Sequence, residues 1–509
     1  MQKESPDTMR PFEPKGTAMH LKIQKRNGRQ YLSIVQSYRQ NGKVKTRTIE
    51  TIGYADAYNH AFEDPIAHFK EYAAMLSQTS ASKRETIGLA FHPDDAIDQT
   101  ATPPARLGAT IALGCLDALG VHGYFQAAAK RDARLKEAGR VFEMLATERM
   151  MHATSKRESW TARASFPRPC DFTYAQLYEA LPVIAREQAP LDARLFRRWR
   201  AISGDADLRR IFLICGSYSF PVDGGALRAS IAVALDRGGM PLGYHDMLGR
   251  LEPVTFREAS DILKERLDAG RAVVVAGGLR DVAPTMQEMA STGDGFVLYQ
   301  RDFKQDPSLS AWAEDEDGYA PMGGGVHMKW RTTTRTLADG SNLPVKEIVL
   351  RGGGYATRYS HALLVTSELD LGVATIVQLY RELWRQAEPF QPLEADFSSM
   401  PYPVAANDHI QAHFAICYAA FFALRMLRWK MAWKHNAADT ADALLRMEGV
   451  HLQQNYYLFN YRSEVSDSIE LATGVASAHR LRTRAELRGI PKTVRESFAN
   501  QEAREPMWP

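Results

Sequence analysis

The spacing of apolar residues changes period several times along the chain, and each change marks a boundary between elements. From Met19 the pattern is short runs of β-branched and aromatic residues: His20–Lys25, Gln30–Arg39 and Val44–Gly53. Asn27-Gly28 and Asn41-Gly42 separate these runs. Both dipeptides accept positive φ, so a three-stranded antiparallel meander over 19–55 is predicted. Residues 1–18 hold four prolines or glycines and no periodicity, and read as a flexible arm. Across 56–205 the period becomes helical. Pro65 opens one helix from its first turn, and Leu107–Leu119, Val141–Met151 and Tyr174–Arg186 supply others.

From Leu208 the pattern turns regular. Arg210–Phe220, Leu227–Leu235 and Pro241–His245 read as strands, with Asp236-Arg237-Gly238-Gly239 as a turn. A helix (Thr255–Leu267), a strand (Arg271–Ala276), a helix (Val282–Ala290) and a strand (Gly295–Gln300) follow. Residues 306–365 hold further strand-like pieces and read as a β-rich insertion. Then Ile376, Leu379, Tyr380, Leu383, Trp384 and Ala387 fall on one face of a helix over 373–388. This order predicts an α/β fold with a ribonuclease-H-like mixed sheet. Its core is 206–305 and 366–435, preceded by the small meander and a helical domain. Residues 436–509 read as a C-terminal helical and basic tail.

The 509 residues exceed one simple core. A 45% hydrophobic and 24% charged composition excludes wholesale disorder. The four cysteines contain no Cys-x-x-Cys pair, so neither a zinc module nor a disulfide framework is expected, and a reducing cytoplasm fits. The N-terminus has no signal-peptide core. Phe414–Leu427 is shorter than a bilayer span and reads as a buried helix, so no membrane partner is expected. Gly323-Gly324-Gly325 and Gly352-Gly353-Gly354 lack the Lys-Ser/Thr of a phosphate loop.

A net charge of +3 decides little, but its distribution matters. Lys22, Lys25, Arg26, Arg29, Arg39, Lys43, Lys45 and Arg47 face only Glu50 within the meander. Clustered cations of this kind either discourage edge pairing or neutralise phosphates. Lys156 and Arg157, beside Trp160, form a second basic group, and Arg197 and Arg198, with Arg194 and Arg200, a third.

Several stretches carry a resemblance. They are Gln30–Arg39, Asp64–Phe69, Ser155–Trp160, Val365–Asp370, Asp408–Cys417 and the frame Tyr380, Leu383-Trp384, Ala387-Glu388, Phe390. In this order they resemble DDE-type insertion-sequence transposases (IS-four-like) from about residue 20 to 465. The resemblance implies DNA transposition by two-metal chemistry, in which about three carboxylates hold two Mg²⁺ ions. They would come from the first strand, the end of the fourth strand and the closing helix.

All three positions are vacated here. The first strand has no acid between Leu208 and Val222, and Cys215 stands at its expected place. Gly277 stands at the second and Ala387 at the third. The nearest acids are Asp281 and Glu388; Asp223 and Asp236 suit turns. Glu388 lies one helical step from Ala387, about 100° round the helix. Pro389 and Pro392 should break the helix there. The expectation is a transposase-derived protein that binds double-stranded DNA without cutting it, with no cofactor, in a bacterial cytoplasm at the nucleoid. Homodimer formation is compatible with this. Mg²⁺ enters only on the alternative of an active transposase with displaced carboxylates. A non-DNA interaction protein on the old scaffold is the other alternative.

Overall fold

Asn27 and Gly28 take φ of 53° and 77°, the left-handed pair that a two-residue hairpin needs. They join β1 (Met19–Arg26) to β2 (Arg29–Gln40), and β3 (Lys43–Tyr54) completes an antiparallel sheet in the order β1-β2-β3. α1 (Pro65–Ala81) begins where Asp64 accepts from the backbone N–H groups of Ile66 and Ala67. These elements belong to the first of two compact units, Met1–Ile97. The computed structural model describes residues 19–40, 43–59, 62–81, 102–204, 207–222, 225–279, 281–301, 303–352, 361–397, 406–452 and 455–499. The arm at 1–18 and the Asn41-Gly42 turn therefore lie outside the described residues.

The second unit, Asp98–Pro509, opens with a short strand, β4 (Ala105–Arg106). Six helices follow: α2 (Leu107–Ala118), α3 (Val121–Ala128), α4 (Arg134–Met151), α5 (Lys156–Thr161), α6 (Tyr174–Arg186) and α7 (Gln188–Ser203). α5 and α6 start at reciprocal caps, Ser155 with Glu158 and Thr173 with Gln176, which the local sequence spacing supplies.

The sheet then builds outward from β5 (Arg210–Val222). β6 (Gly225–Leu235) and β7 (Pro241–Leu248) add antiparallel on one side. α8 (Pro253–Leu267) and α9 (Ala283–Thr292) are crossovers that bring β8 (Arg271–Leu279) and β9 (Gly295–Gln300) parallel to β5 on the other. The order β7-β6-β5-β8-β9 results. α10 (Pro307–Glu314) leads into β10 (Ala320–Gly323), β11 (Val326–Thr336), β12 (Asn342–Arg351) and β13 (His361–Thr366). These strands do not make a separate β unit. β13 pairs antiparallel with β9, whose edge would otherwise leave a row of unpaired backbone groups, and the sheet grows to nine strands.

α11 (Val373–Phe390) runs through Pro389, so the helix is not broken before it. The proline sits in the last turn, where it removes little, and Arg149 binds the exposed carbonyl oxygens of Pro389 and Gln391. After α12 (Glu394–Phe397), α13 (Ala406–Lys430) forms the centre of the helical layer. It is long and apolar enough to cross a membrane, yet most of its apolar window is buried inside the protein.

The stretch read as a helical and basic tail holds helices and short strands. It contains α14 (Ala437–Arg446), β14 (Glu448–His451), β15 (Tyr456–Phe459), α15 (Glu464–Thr473), β16 (Leu481–Thr483) and α16 (Arg484–Ser497). β16, β15, β14 and the early strand β4 make a four-stranded sheet. α16 packs on α2, where a Cβ at Gly114 would fall 2.6 Å from Val494.

β5 is buried on both faces. Phe212, Ile214, Tyr218 and Phe220 join the layer containing α11 and α13, whereas Ile211, Leu213 and Cys215 join the layer containing α8 and α9.

Candidate functional site

In the parallel register Cys215 lies opposite Ala276, and both side chains face α8 and α9. Side chains alternate along a strand, so Gly216 and Gly277 are the neighbouring pair that faces α11. α11 crosses this patch. Its Ile376, Leu379 and Tyr380 are buried, and a Cβ on Gly277 would lie 3.2 Å from Leu383 Cδ1. A Cβ on Gly216 would lie 2.9 Å from the Tyr218 hydroxyl. Cys215 and Gly277 are thus on adjoining strands but on opposite faces of the sheet, and Gly216 is the residue of β5 that belongs to the patch. Burial pushes the Cys215 thiol upward, away from ionisation.

The acids nearest in sequence do other work. Asp281 is exposed and accepts the Ala283 N–H at 2.9 Å, at the start of α9. Asp236 closes its turn by accepting from the Met240 N–H at 2.8 Å, and burial raises its pKa to about 6. Asp223 and the side chains of Ala387 and Glu388 lie outside the described residues. Glu382, on the helical layer's side of α11, is buried in an ion pair with Arg425 of α13 at 2.6 Å.

Mg²⁺ takes hard oxygen ligands in octahedral geometry. Gly216, Gly277 and Leu383 offer no side-chain oxygen, and the space above the glycines is filled by Tyr218 and Leu383. The described residues of this patch do not fit a two-metal centre. Elsewhere among the described residues, Asp117, His122 and Glu143 could converge on an ion. Arg168 already supplies the cation there, bridging Asp117 Oδ2 at 2.5 Å and Glu143 at 2.8 Å.

A cavity of about 660 Å³ sits at the other end of β5 and β8, lined by Arg209, Arg210, Arg237 and Arg271. Its charges are largely balanced internally. Arg209 pairs with Asp207, Arg210 with Asp370 at 2.7 Å, and Arg271 with Glu368 at 2.6 Å.

The basic residues of the meander divide between two faces. Cross-strand partners share a face, so the register puts Lys22, Arg26 and Arg29 on one side and Lys25, Lys45 and Arg47 on the other. All six are exposed. Arg26 lies over Tyr31 and Arg29 over Tyr54, with ring centroids 4.3 and 4.4 Å away. Arg29 is also neutralised by Asp56 at 2.5 Å, an acid just beyond the meander span. That pair holds the Asp56 carboxyl below the usual range. Arg47 donates to Gln36. The side chains of Arg39 and Lys43 lie outside the described residues.

Lys156 does not belong to any exposed basic group. It is buried, and both its backbone N–H and its ammonium bind Asp396, the latter at 3.1 Å. Burying an ammonium is tolerable only with such a partner. Arg157 and Arg197 are exposed, while Arg198 is half-buried and donates to the Ala118 carbonyl. A basic face that the sequence reading left inside the tail is that of α16, with Arg484, Arg488, Lys492 and Arg495. Its signal was the four-residue spacing of the first three.

Residues 21–86 match the family model for the IS1634 family transposase, N-terminal domain. This match supports an insertion-sequence transposase origin for the stretch that holds the meander and α1. No curated protein matches the chain.

Proposed function

We propose that this chain is a transposase-derived protein that binds double-stranded DNA at the bacterial nucleoid and does not cut or join it. The match of residues 21–86 to a transposase N-terminal domain carries the reading, because it falls on the most basic segment of the chain. The strand order β7-β6-β5-β8-β9, with only β6 and the flanking strands antiparallel, supports a ribonuclease-H-like core. In such a core the two-metal carboxylates of a DDE enzyme would stand over β5 and β8. Here Leu383 lies in van der Waals reach of Gly277 at that position. No step through a metal is therefore assigned to this chain.

What remains is electrostatic. Exposed Lys and Arg on a sheet neutralise phosphates and release counterions, giving affinity without base specificity. A mobility-shift assay with genomic fragments and supercoiled plasmid tests the reading. Retarded, intact DNA in Mg²⁺ or Mn²⁺ is the expected result. Metal-dependent nicking would restore the active-transposase alternative, and absence of any shift would favour a protein-interaction role on this scaffold.

A further inference from the structure

The second unit contains an open cleft of about 900 Å³ between α16 and the proline-containing segments 102–104 and 166–169. Arg484, Arg488, Lys492 and Arg495 line one wall. At about 100° per residue these four positions span an arc of about 80°, and at 1.5 Å per residue they run over about 17 Å. Leu487, Ile490, Pro491 and Val494 bury the adjoining face of the same helix against the protein. The helix is anchored at its start by the Thr483–Glu486 reciprocal cap. The cationic row is therefore held in place rather than carried on a loose tail.

The row is also short of internal counter-charge. Arg488 and Arg495 have no ion-pair partner among the described residues. Lys492 meets Glu496 only at 3.8 Å, and Arg484 donates to the Tyr457 hydroxyl. Asp117, the acid that lines the cleft, is occupied by Arg168, which bridges it to Glu143 behind, and His122 Nδ1 lies 2.7 Å from Glu143. A helix that places four exposed cations on one arc, with only Lys492 near an acid, is suited to an external row of negative charge.

We propose that this cleft is a phosphate-backbone site, seating one strand of a DNA duplex along Arg484, Arg488, Lys492 and Arg495. One duplex strand presents a phosphate every 3.4 Å or so, hence about five over the 17 Å row. The proposal rests on the DNA-binding reading and places a contact surface in the second unit, separate from the matched segment at 21–86.

The test compares the full chain with two serine variants and one lysine variant, by anisotropy of a labelled duplex across 50–200 mM salt. One variant replaces the four cations by serine; the other changes Lys22, Lys25 and Arg26 to serine. Losing four contacts should flatten the slope of log affinity against log salt by up to about 3.6. The parent would then lose up to about 10²-fold more affinity than the variant over that salt range. Changing Arg484, Arg488 and Arg495 to lysine should keep the slope. If the serine variant melts like the parent and keeps its slope, while the meander variant loses it, the cleft proposal is wrong and the DNA reading stands. If the parent shows no salt-dependent binding, both fall.

Discussion

The patch over Gly216 and Gly277 and the cleft beside α16 differ in almost every physical respect. The first is half-buried, packed by Leu383 and Tyr218, and carries no side-chain charge of its own among the described residues. The second is open and lined by four exposed cations. One belongs to the scaffold, whose stability comes from apolar burial at roughly 1.5–3 kcal/mol for each large side chain. The other contributes little to folding and can change charge freely. A scaffold held by Ile214, Val275, Leu379 and Tyr380 has no need of carboxylates at its centre. A centre without them carries no like-charge repulsion.

The sharpest break of that contrast is at the buried ion pair that ties α11 to α13. Arg425→Met should destabilise by about 3–5 kcal/mol in urea unfolding, because the buried Glu382 loses the cation that pairs with it at 2.6 Å. A loss under 1 kcal/mol would mean that α11 is not held as described. Next in size, Gly277→Asp should cost about 1–3 kcal/mol, since a half-buried carboxylate must displace Leu383. It should restore no nicking; a stable variant that nicks DNA in Mn²⁺ would show a site poised for metal.

The scaffold should also respond to pH. Asp192, buried beside Arg266 at 3.1 Å, has its pKa raised by burial to about 7. The folded protein keeps this proton up to about pH 7, whereas the unfolded chain releases it near 3.8. Folding thus takes up a proton between those values, and stability falls as pH rises through the window. Asp192→Asn should remove on the order of 2 kcal/mol of that dependence, read from melts at pH 4.5 and 7.5. The smallest effect is expected at the cleft, where each single serine substitution at Arg488 or Arg495 should move stability by no more than about 0.5 kcal/mol.

Local signals were legible and long-range ones were not. Asn27-Gly28 announced its hairpin because two residues fix that turn. Lys156 looked like part of a basic patch because its partner, Asp396, is 240 residues away. The face of β5 was undecidable because both faces are buried, so its residues show no alternation from which to tell Cys215 from Gly216. The pairing of β13 with β9 is likewise set by an unsatisfied edge, not by local sequence. α16 was hidden by Gly489 and Pro491, which argue against a helix; its packing against α2 overrides that preference. The lack of acids at Cys215 and Gly277 was legible, but Tyr218 and Leu383 as the side chains beside Gly216 and Gly277 came only from the fold.

The central claim is that phosphate binding persists on a scaffold that no longer uses metal. It is tested most directly by titrating the full chain against a labelled duplex in EDTA and in Mg²⁺ at matched ionic strength. Equal affinities and intact strands in both are the predicted result. Tighter binding in Mg²⁺ accompanied by strand cleavage would contradict it.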